Sequence, residues 1–275
     1  MKILRGTCLP DCHIHTRFSS DCDAEPRACI EQAIALGMPL ICFTDHHDMD
    51  FPDGEFQLDV PAYQQQMASL AAEYAGRIEV LCGVELGLLP YLGKERRIER
   101  FAEAGQFDYV IGSIHMINGK DPYYRQDFEE TDEELYRLYF EQTLESIQEN
   151  SGFQALGHLD YVVRYGYEKD RFYSYEKFRD VLDEILSCLI SRDIALEVNT
   201  AGFRKGLGFP NPHPDILWRY RDLGGEQVTI GSDAHMPQHV GADFKAAAEL
   251  LQALGFRYLT LFHGKEESRI PLDMT

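Results

Sequence analysis

Seven short runs of β-forming residues end, one after another, in side chains that bind metals or steer the residues that do. They are Asp11-Cys12-His13-Ile14-His15, Thr44-Asp45-His46-His47, Gly83-Val84-Glu85, Ser113-Ile114-His115, Gly157-His158-Leu159-Asp160, Glu197-Val198-Asn199 and Ser232-Asp233-Ala234-His235. Groups as distant in sequence as Asp11 and Asp233 meet only if strand ends share one rim. The carboxyl-terminal rim of a closed parallel barrel does this. The strands expected are Asp11–His15, Leu40–Thr44, Glu79–Glu85, Asp108–Ser113, Gln154–His158, Ile194–Val198, Val228–Gly231 and Tyr258–Phe262, the last with no such motif at its end.

Helical patterns separate these runs, and no low-complexity stretch or long linker interrupts them. The alternation predicts one α/β domain spanning residues 1–275. Pro26 and Pro61 suit first helical turns, and Gly37, Gly76 and Gly255 sit where helices end. Thr131 with Glu134 is a capping box opening a helix to about Asn150, and Ser174 is expected to cap another to about Ser191. Residues 116–131, with Gly119, Asp121, Pro122 and two tyrosines, read as a loop.

Composition narrows the partners. The 26 Lys and Arg face 46 Asp and Glu, a formal charge of −20 that disfavours nucleic acid and acidic membrane surfaces. The first six residues carry no apolar leader, and no run approaches the about 18 apolar residues of a membrane span. Seven cysteines without a C-x-x-C pair fit neither a disulfide framework nor a zinc ribbon, so reduced thiols and a cytoplasmic setting are expected.

His13 and His15, two apart on a strand, are expected to project from one face with Asp11, leaving Cys12 and Ile14 on the other. Imidazole and carboxylate donors suit Zn²⁺, Fe²⁺ or Mn²⁺, and a carboxylate such as Glu85 can bridge two cations. One histidine alone reads as a structural residue. Six of them with Asp233 and Glu85, all at strand ends, read as a polynuclear metal site.

At these residues the chain resembles the polymerase and histidinol phosphatase (PHP) family, and within it the monofunctional histidinol-phosphate phosphatases. The resemblance covers nearly the whole chain. It implies a distorted TIM-like (β/α) barrel of about seven parallel strands in a single domain, with three divalent metal ions. Carried over residue by residue, His13, His15, Glu85 and Asp233 hold the first metal, and Glu85 bridges to a second held by His115 and His158. Asp21, His46 and His235 hold the third. Family members often have histidine where Asp21 stands, and Asp23 is close enough to compete. Asp11, Asp45 and Asn199 read as groups orienting ligands.

The implied activity is hydrolysis of L-histidinol phosphate to L-histidinol and phosphate in histidine biosynthesis, by attack of metal-bound hydroxide at phosphorus. Arg164 and Arg204 are the phosphate-binding candidates, since a planar guanidinium fork matches phosphate. Arg17 is a weaker third, better explained as surface charge. Leaving-group protonation is open among Asp160, His47 and a metal-bound water, and Asp160 equally suits a substrate ammonium or a ligand-orienting role. The Pro122-Tyr123-Tyr124 segment is either a cover for the entrance or an anchored surface loop. His213, His239 and His263 fall outside the motifs, and Trp218 with Tyr220 suits a helix packing face.

Three other readings compete. One is a PHP phosphoesterase for nucleotides or other small phosphate monoesters. Another is an amidohydrolase, disfavoured because no lysine ends the fourth strand. The last is an inactive metal-binding module, disfavoured by the intact ligand set.

Overall fold

The alternation of strand and helix winds the chain into a parallel sheet that nearly closes on itself. The computed structural model describes residues 8–272, so the six-residue opening segment lies outside the described residues. The strands are β1 (Asp11–Ile14), β2 (Leu40–Phe43), β3 (His46–His47), β4 (Glu79–Gly87), β5 (Tyr109–Ser113), β6 (Ala155–Leu156), β7 (Ala195–Asn199) and β8 (Val228–Gly231). They run in the order β1-β2-β4-β5-β6-β7-β8, with the short β3 paired to the upper part of β4. Every pair is parallel. Closure comes just past β8, where Ile14 bridges Ala234 and the Asp233 amide donates to the His13 carbonyl at 2.8 Å.

The eighth expected strand does not join the barrel. β9 (Tyr258–His263) pairs antiparallel with β10 (Glu266–Pro271). The connection Gly264-Lys265 has positive φ at both residues, 58° and 66°, the geometry of a two-residue hairpin whose twist matches its strands. The charged run Glu266-Glu267-Ser268-Arg269 hides β10 from a hydropathy reading because its side chains are largely solvated.

Alternate strand residues divide two apolar clusters. Ile41, Phe43, Val110, Leu156 and Leu196 point outward and pack against helices. Cys12, Leu40, Cys42, Leu81, Tyr109, Ile111, Ala155 and Ala195 form a second cluster with Leu261 and Phe262 of β9. Its contributions from strands all around the barrel make it the barrel's own filling, closed below by the hairpin. Cys12 belongs to this inner cluster and Ile14 to the outer one, so they do not share the face that strict alternation predicts. A register irregularity in β1 between Asp11 and Ile14 accounts for this.

Helix punctuation follows local chemistry. The helix Asp132–Glu149 opens on the Thr131–Glu134 capping box, with the Thr131 amide donating to Glu134 Oε2 at 2.9 Å. Gly37 and Gly255, at φ 74° and 88°, end the helices Pro26–Ala35 and Phe244–Ala253. Ser174 makes no side-chain cap. A 3₁₀ turn at Tyr175–Lys177 intervenes, and the helix is Arg179–Ser191. Tyr220 is buried as expected, but Trp218 is half exposed and does not share its packing face. Among the described residues no helix is long and apolar enough to cross a membrane.

Candidate metal centre and active site

Glu85, on β4 and 1% exposed, is the hub of the upper barrel. Its Oε1 accepts from Ser113 Oγ at 2.6 Å and lies 3.0 Å from His158 Nε2 and 3.2 Å from His115 Nε2. Its Oε2 lies 3.2 Å from His13 Nε2, 3.4 Å from His15 Nε2 and 3.0 Å from His46 Nδ1. The two oxygens therefore face two different sets of imidazoles.

The remaining expected ligands lie on the same rim. His13 and His15 bring their Nε2 atoms within 3.0 Å of each other, and Asp233 Oδ1 is 3.6 Å from His15 Nε2. Asp21, rather than Asp23, makes the outer contacts, with Oδ2 at 3.0 Å from His235 Nε2 and 3.8 Å from His46 Nε2. The His15 ring is stacked against both His46 and His235, at centroid distances of 4.2 Å. Among the described residues three trios have donor atoms all within 4.8 Å: His13 with His15 and Asp233, His46 with Glu85 and His115, and His15 with His46 and His235. These groupings overlap the expected sets only in part: none includes Asp21 or His158, and His46 falls between the outer group and Glu85.

A second layer holds the rings in place. Glu197 Oε1 sits 2.5 Å from His13 Nδ1, and its Oε2 accepts from the His158 amide at 2.9 Å and from Asn199 Nδ2 at 3.1 Å. Asp48 Oδ2 is 2.7 Å from His115 Nδ1. Ser19 Oγ donates to Asp45 Oδ1 at 2.8 Å and lies 3.2 Å from His15 Nδ1, so Asp45 reaches the ligand through Ser19. Asp11 works on backbone instead, accepting from the amides of Ser232 at 2.9 Å and Gly241 at 2.8 Å, which fixes the segment carrying Asp233.

Glu197, Asp48 and Ser19 escaped the sequence reading as ring-orienting groups. Glu197 stands two residues before Asn199 on one strand face, a signal that was available. Asp48 and Ser19 follow their motifs in loops, where spacing carries no signal.

On this rim carboxylates and imidazoles shift one another strongly. Burial pushes the Glu85 carboxyl upward, but His13, His115 and His46 outweigh it and hold it well below the ordinary range. Burial opposes charge on His13, yet Glu197 and Glu85 drive its pKa well up. Burial with His46 and His235 nearby pushes His15 well down. Burial would raise Asp21, and its His235 hydrogen bond together with His46 brings it below the usual value.

Residues crowded this way fit a metal cluster. His158 Nδ1 and Asp48 Oδ1 are buried without hydrogen-bond partners, and His46 Nδ1 is not aligned for one with Glu85. Donor separations of 3.0–3.6 Å bracket the about 3.3 Å edge of a tetrahedron with metal–nitrogen bonds of about 2.0 Å.

A cavity of about 630 Å³ opens onto this rim. Arg164 and Arg204 both line it. Arg164 is buried and committed, donating through Nε to Asn211 at 2.8 Å, Nη1 to Asp233 at 2.9 Å and Nη2 to Asn199 at 2.8 Å. Arg204 donates through Nη2 to the Ser232 carbonyl, while its buried Nη1 has no hydrogen-bond partner. Lys205, which the sequence reading did not single out, lines the same wall, as does His239.

Two acid candidates fail on position. Asp160 does not line the cavity. It is fully buried, accepting from Tyr173 Oη at 2.9 Å, the His213 amide at 2.8 Å and Asn211 Nδ2. The 3₁₀ turn Tyr161–Arg164 that follows it sends Arg164 to the cavity and leaves Asp160 bracing the loop beneath. His47 accepts from the Leu58 amide at 3.1 Å and stacks on Phe101 at 4.1 Å, away from the cavity. Arg17 pairs with Glu25 on the surface, 3.2 Å apart.

Residues 11–201 match the PHP domain family. A histidinol-phosphatase of Lactococcus lactis subsp. lactis is 35% identical over 258 residues, 92% of this chain and 94% of that protein. A probable histidinol-phosphatase of Thermotoga maritima is 34% identical over 251 residues, 91% and 94% of the two chains. The crystal structure of a histidinol phosphate phosphatase from Lactococcus lactis, complexed with Zn, L-histidinol and phosphate, aligns with a TM-score of 0.86 at 34% identity. That alignment covers 94% of this chain and 99% of the other. The barrel, the histidine-rich rim and these relationships agree, and the chain belongs to the PHP family.

Proposed function

We propose that this protein hydrolyses L-histidinol phosphate to L-histidinol and phosphate, the phosphatase step of histidine biosynthesis. The observation that carries the reading is Glu85, whose oxygens face separate imidazole sets beneath a cavity lined by Arg164 and Arg204. The naming of the Lactococcus relatives and the Zn, L-histidinol and phosphate in one of them support the substrate.

Three divalent ions are proposed, zinc among the candidates. One is held by His13, His15, Glu85 and Asp233, one by Glu85, His115 and His158, and one by Asp21, His46 and His235. When bound, such ions supply Lewis acidity toward phosphoryl oxygens and acidify water at neutral pH. The protein's own groups do the rest. Arg204, whose Nη1 makes no hydrogen bond and only a 3.9 Å ion pair with Asp243, offers its guanidinium to the phosphate, and Lys205 adds charge beside it. Arg164 holds Asp233 and Asn199 in place through Nη1 and Nη2. Glu197 and Asp48 fix the tautomers of His13 and His115. We further propose that the catalytic domain spans residues 1–275 and works in the cytoplasm on a small phosphorylated metabolite, with no nucleic-acid or membrane partner.

The test is phosphate release by Mn²⁺-reconstituted protein from L-histidinol phosphate, a nucleoside monophosphate and p-nitrophenyl phosphate at equal concentration. A strong preference for L-histidinol phosphate is expected. Equal rates on all three would replace the biosynthetic reading with a general phosphoesterase.

A further inference from the structure

The cavity is chemically lopsided. Arg164, Arg204 and Lys205 gather with Asp233 on one side, and Lys205 feels all three electrostatically. The loop after β5 brings Asp121 into the lining, where its electrostatic neighbours are His115, Asp48 and His46 rather than the basic group. Asp48 is already bound to His115, whereas no Lys or Arg pairs with Asp121 among the described residues.

Asp121 is also held in place. Its Oδ1 accepts from the Tyr123 amide at 2.8 Å and its carbonyl accepts from the Tyr124 amide at 3.1 Å. The loop is pinned below by buried Arg125, which donates to Asp132 at 3.0 Å and to the carbonyls of Phe128 and Glu130. The ring of Tyr123 meets Tyr124 and Tyr165 edge-on, at centroid distances of 5.1 and 5.6 Å. All three tyrosines line the cavity, so an aromatic wall adjoins the carboxylate. Such a wall also receives cations and planar rings. The loop is thus anchored at its base.

We propose that Asp121 selects the organic half of the substrate, its carboxylate pairing with an ammonium on the alcohol while the phosphate lies toward Arg204. This rests on the phosphatase reading for the phosphate end. It adds what neither arginine supplies, a reason for the site to prefer a zwitterionic amino-alcohol phosphate over a plain phosphate ester.

The experiment compares metal-loaded wild type with Asp121→Asn. Turnover is measured on L-histidinol phosphate and p-nitrophenyl phosphate, along with inhibition of p-nitrophenyl phosphate hydrolysis by L-histidinol and by inorganic phosphate. The ratio of kcat/KM for the two esters is expected to fall about tenfold or more, mainly through KM. The inhibition constant of L-histidinol should rise by a similar factor while that of inorganic phosphate does not follow. A parallel loss on both esters, or an unchanged constant for L-histidinol, overturns the assignment. Wild type without preference for L-histidinol phosphate would overturn the substrate reading instead, and the L-histidinol inhibition constant would still decide for or against Asp121.

Discussion

The same strands build two storeys of one barrel, and the storeys obey opposite rules. Below, Leu40, Cys42, Leu81, Tyr109, Ile111, Ala155 and Ala195 fill the interior with Leu261 and Phe262 from the hairpin. That layer gains its stability by removing apolar surface from water. Further up, β4 carries Glu85, four residues past Leu81, and β7 carries Glu197, two past Ala195, both 1% exposed among imidazoles. This layer gains nothing from burial and is held by charge pairing, with cations completing it. The lower storey should therefore set the stability of the chain and the upper one its chemistry.

The strongest test of that division is Glu85→Gln. It removes the charge shared by both imidazole sets, and kcat/KM should fall by at least about 10³-fold, about 4 kcal/mol, with loss of bound metal. Elemental analysis and phosphate release check it, and circular dichroism should show an intact fold. Retained activity with full metal content would remove Glu85 from the centre.

Phe262→Ala is the counterpart below. Phe262 lies parallel to Tyr109, with centroids 5.5 Å apart and planes 5° apart. Truncation should cost about 3 kcal/mol in denaturant unfolding. At temperatures where the variant is folded, kcat/KM should stay within about twofold. Activity falling as far as stability would show that the two storeys act as one.

Glu197→Gln comes next in size. It keeps the shape beside His13 Nδ1 but loses the charge that holds the ring, so metal affinity or kcat/KM should drop about 10–100-fold. Titration of the stripped protein with metal reads the affinity directly. An unchanged affinity would make Glu197 a strand brace through its bonds to the His158 amide and Asn199.

These two glutamates also mark how far the sequence could be read. Glu85 was legible because a strand ending in a carboxylate recurs among strands ending in histidine, and only a shared rim explains the series. Glu197 belongs to such a run, but nothing in spacing separates a residue touching a metal from one touching its ligand. Asp48 and Ser19 depend on loop paths that no periodicity encodes. Asp160 was misplaced because a single 3₁₀ turn decides which of Asp160 and Arg164 reaches the cavity, and that rotation is set by Tyr173, Asn211 and His213 far along the chain. The hairpin was half seen: β9 is apolar enough to announce itself, whereas β10 is an edge strand whose charged outer side chains hide its period of two.

Tyr109→Phe probes the boundary between the storeys and should have the smallest effect. The ring belongs to the apolar layer, stacked on Phe262, while its hydroxyl donates to Thr229 Oγ1 at 3.2 Å. Burial, and secondarily the Glu197 charge, keep that phenol well above its ordinary pKa, so it acts as a neutral hydrogen-bond donor at every working pH. The substitution preserves the packing and removes one buried hydrogen bond, leaving Thr229 to find another partner. That predicts about 1 kcal/mol of lost stability in denaturant unfolding, with kcat/KM changed by less than about twofold because no metal-facing group moves. A large loss of activity at nearly full stability would mean that the upper storey reaches down through Glu197 to this hydroxyl, and the boundary would lie one layer lower than the packing suggests.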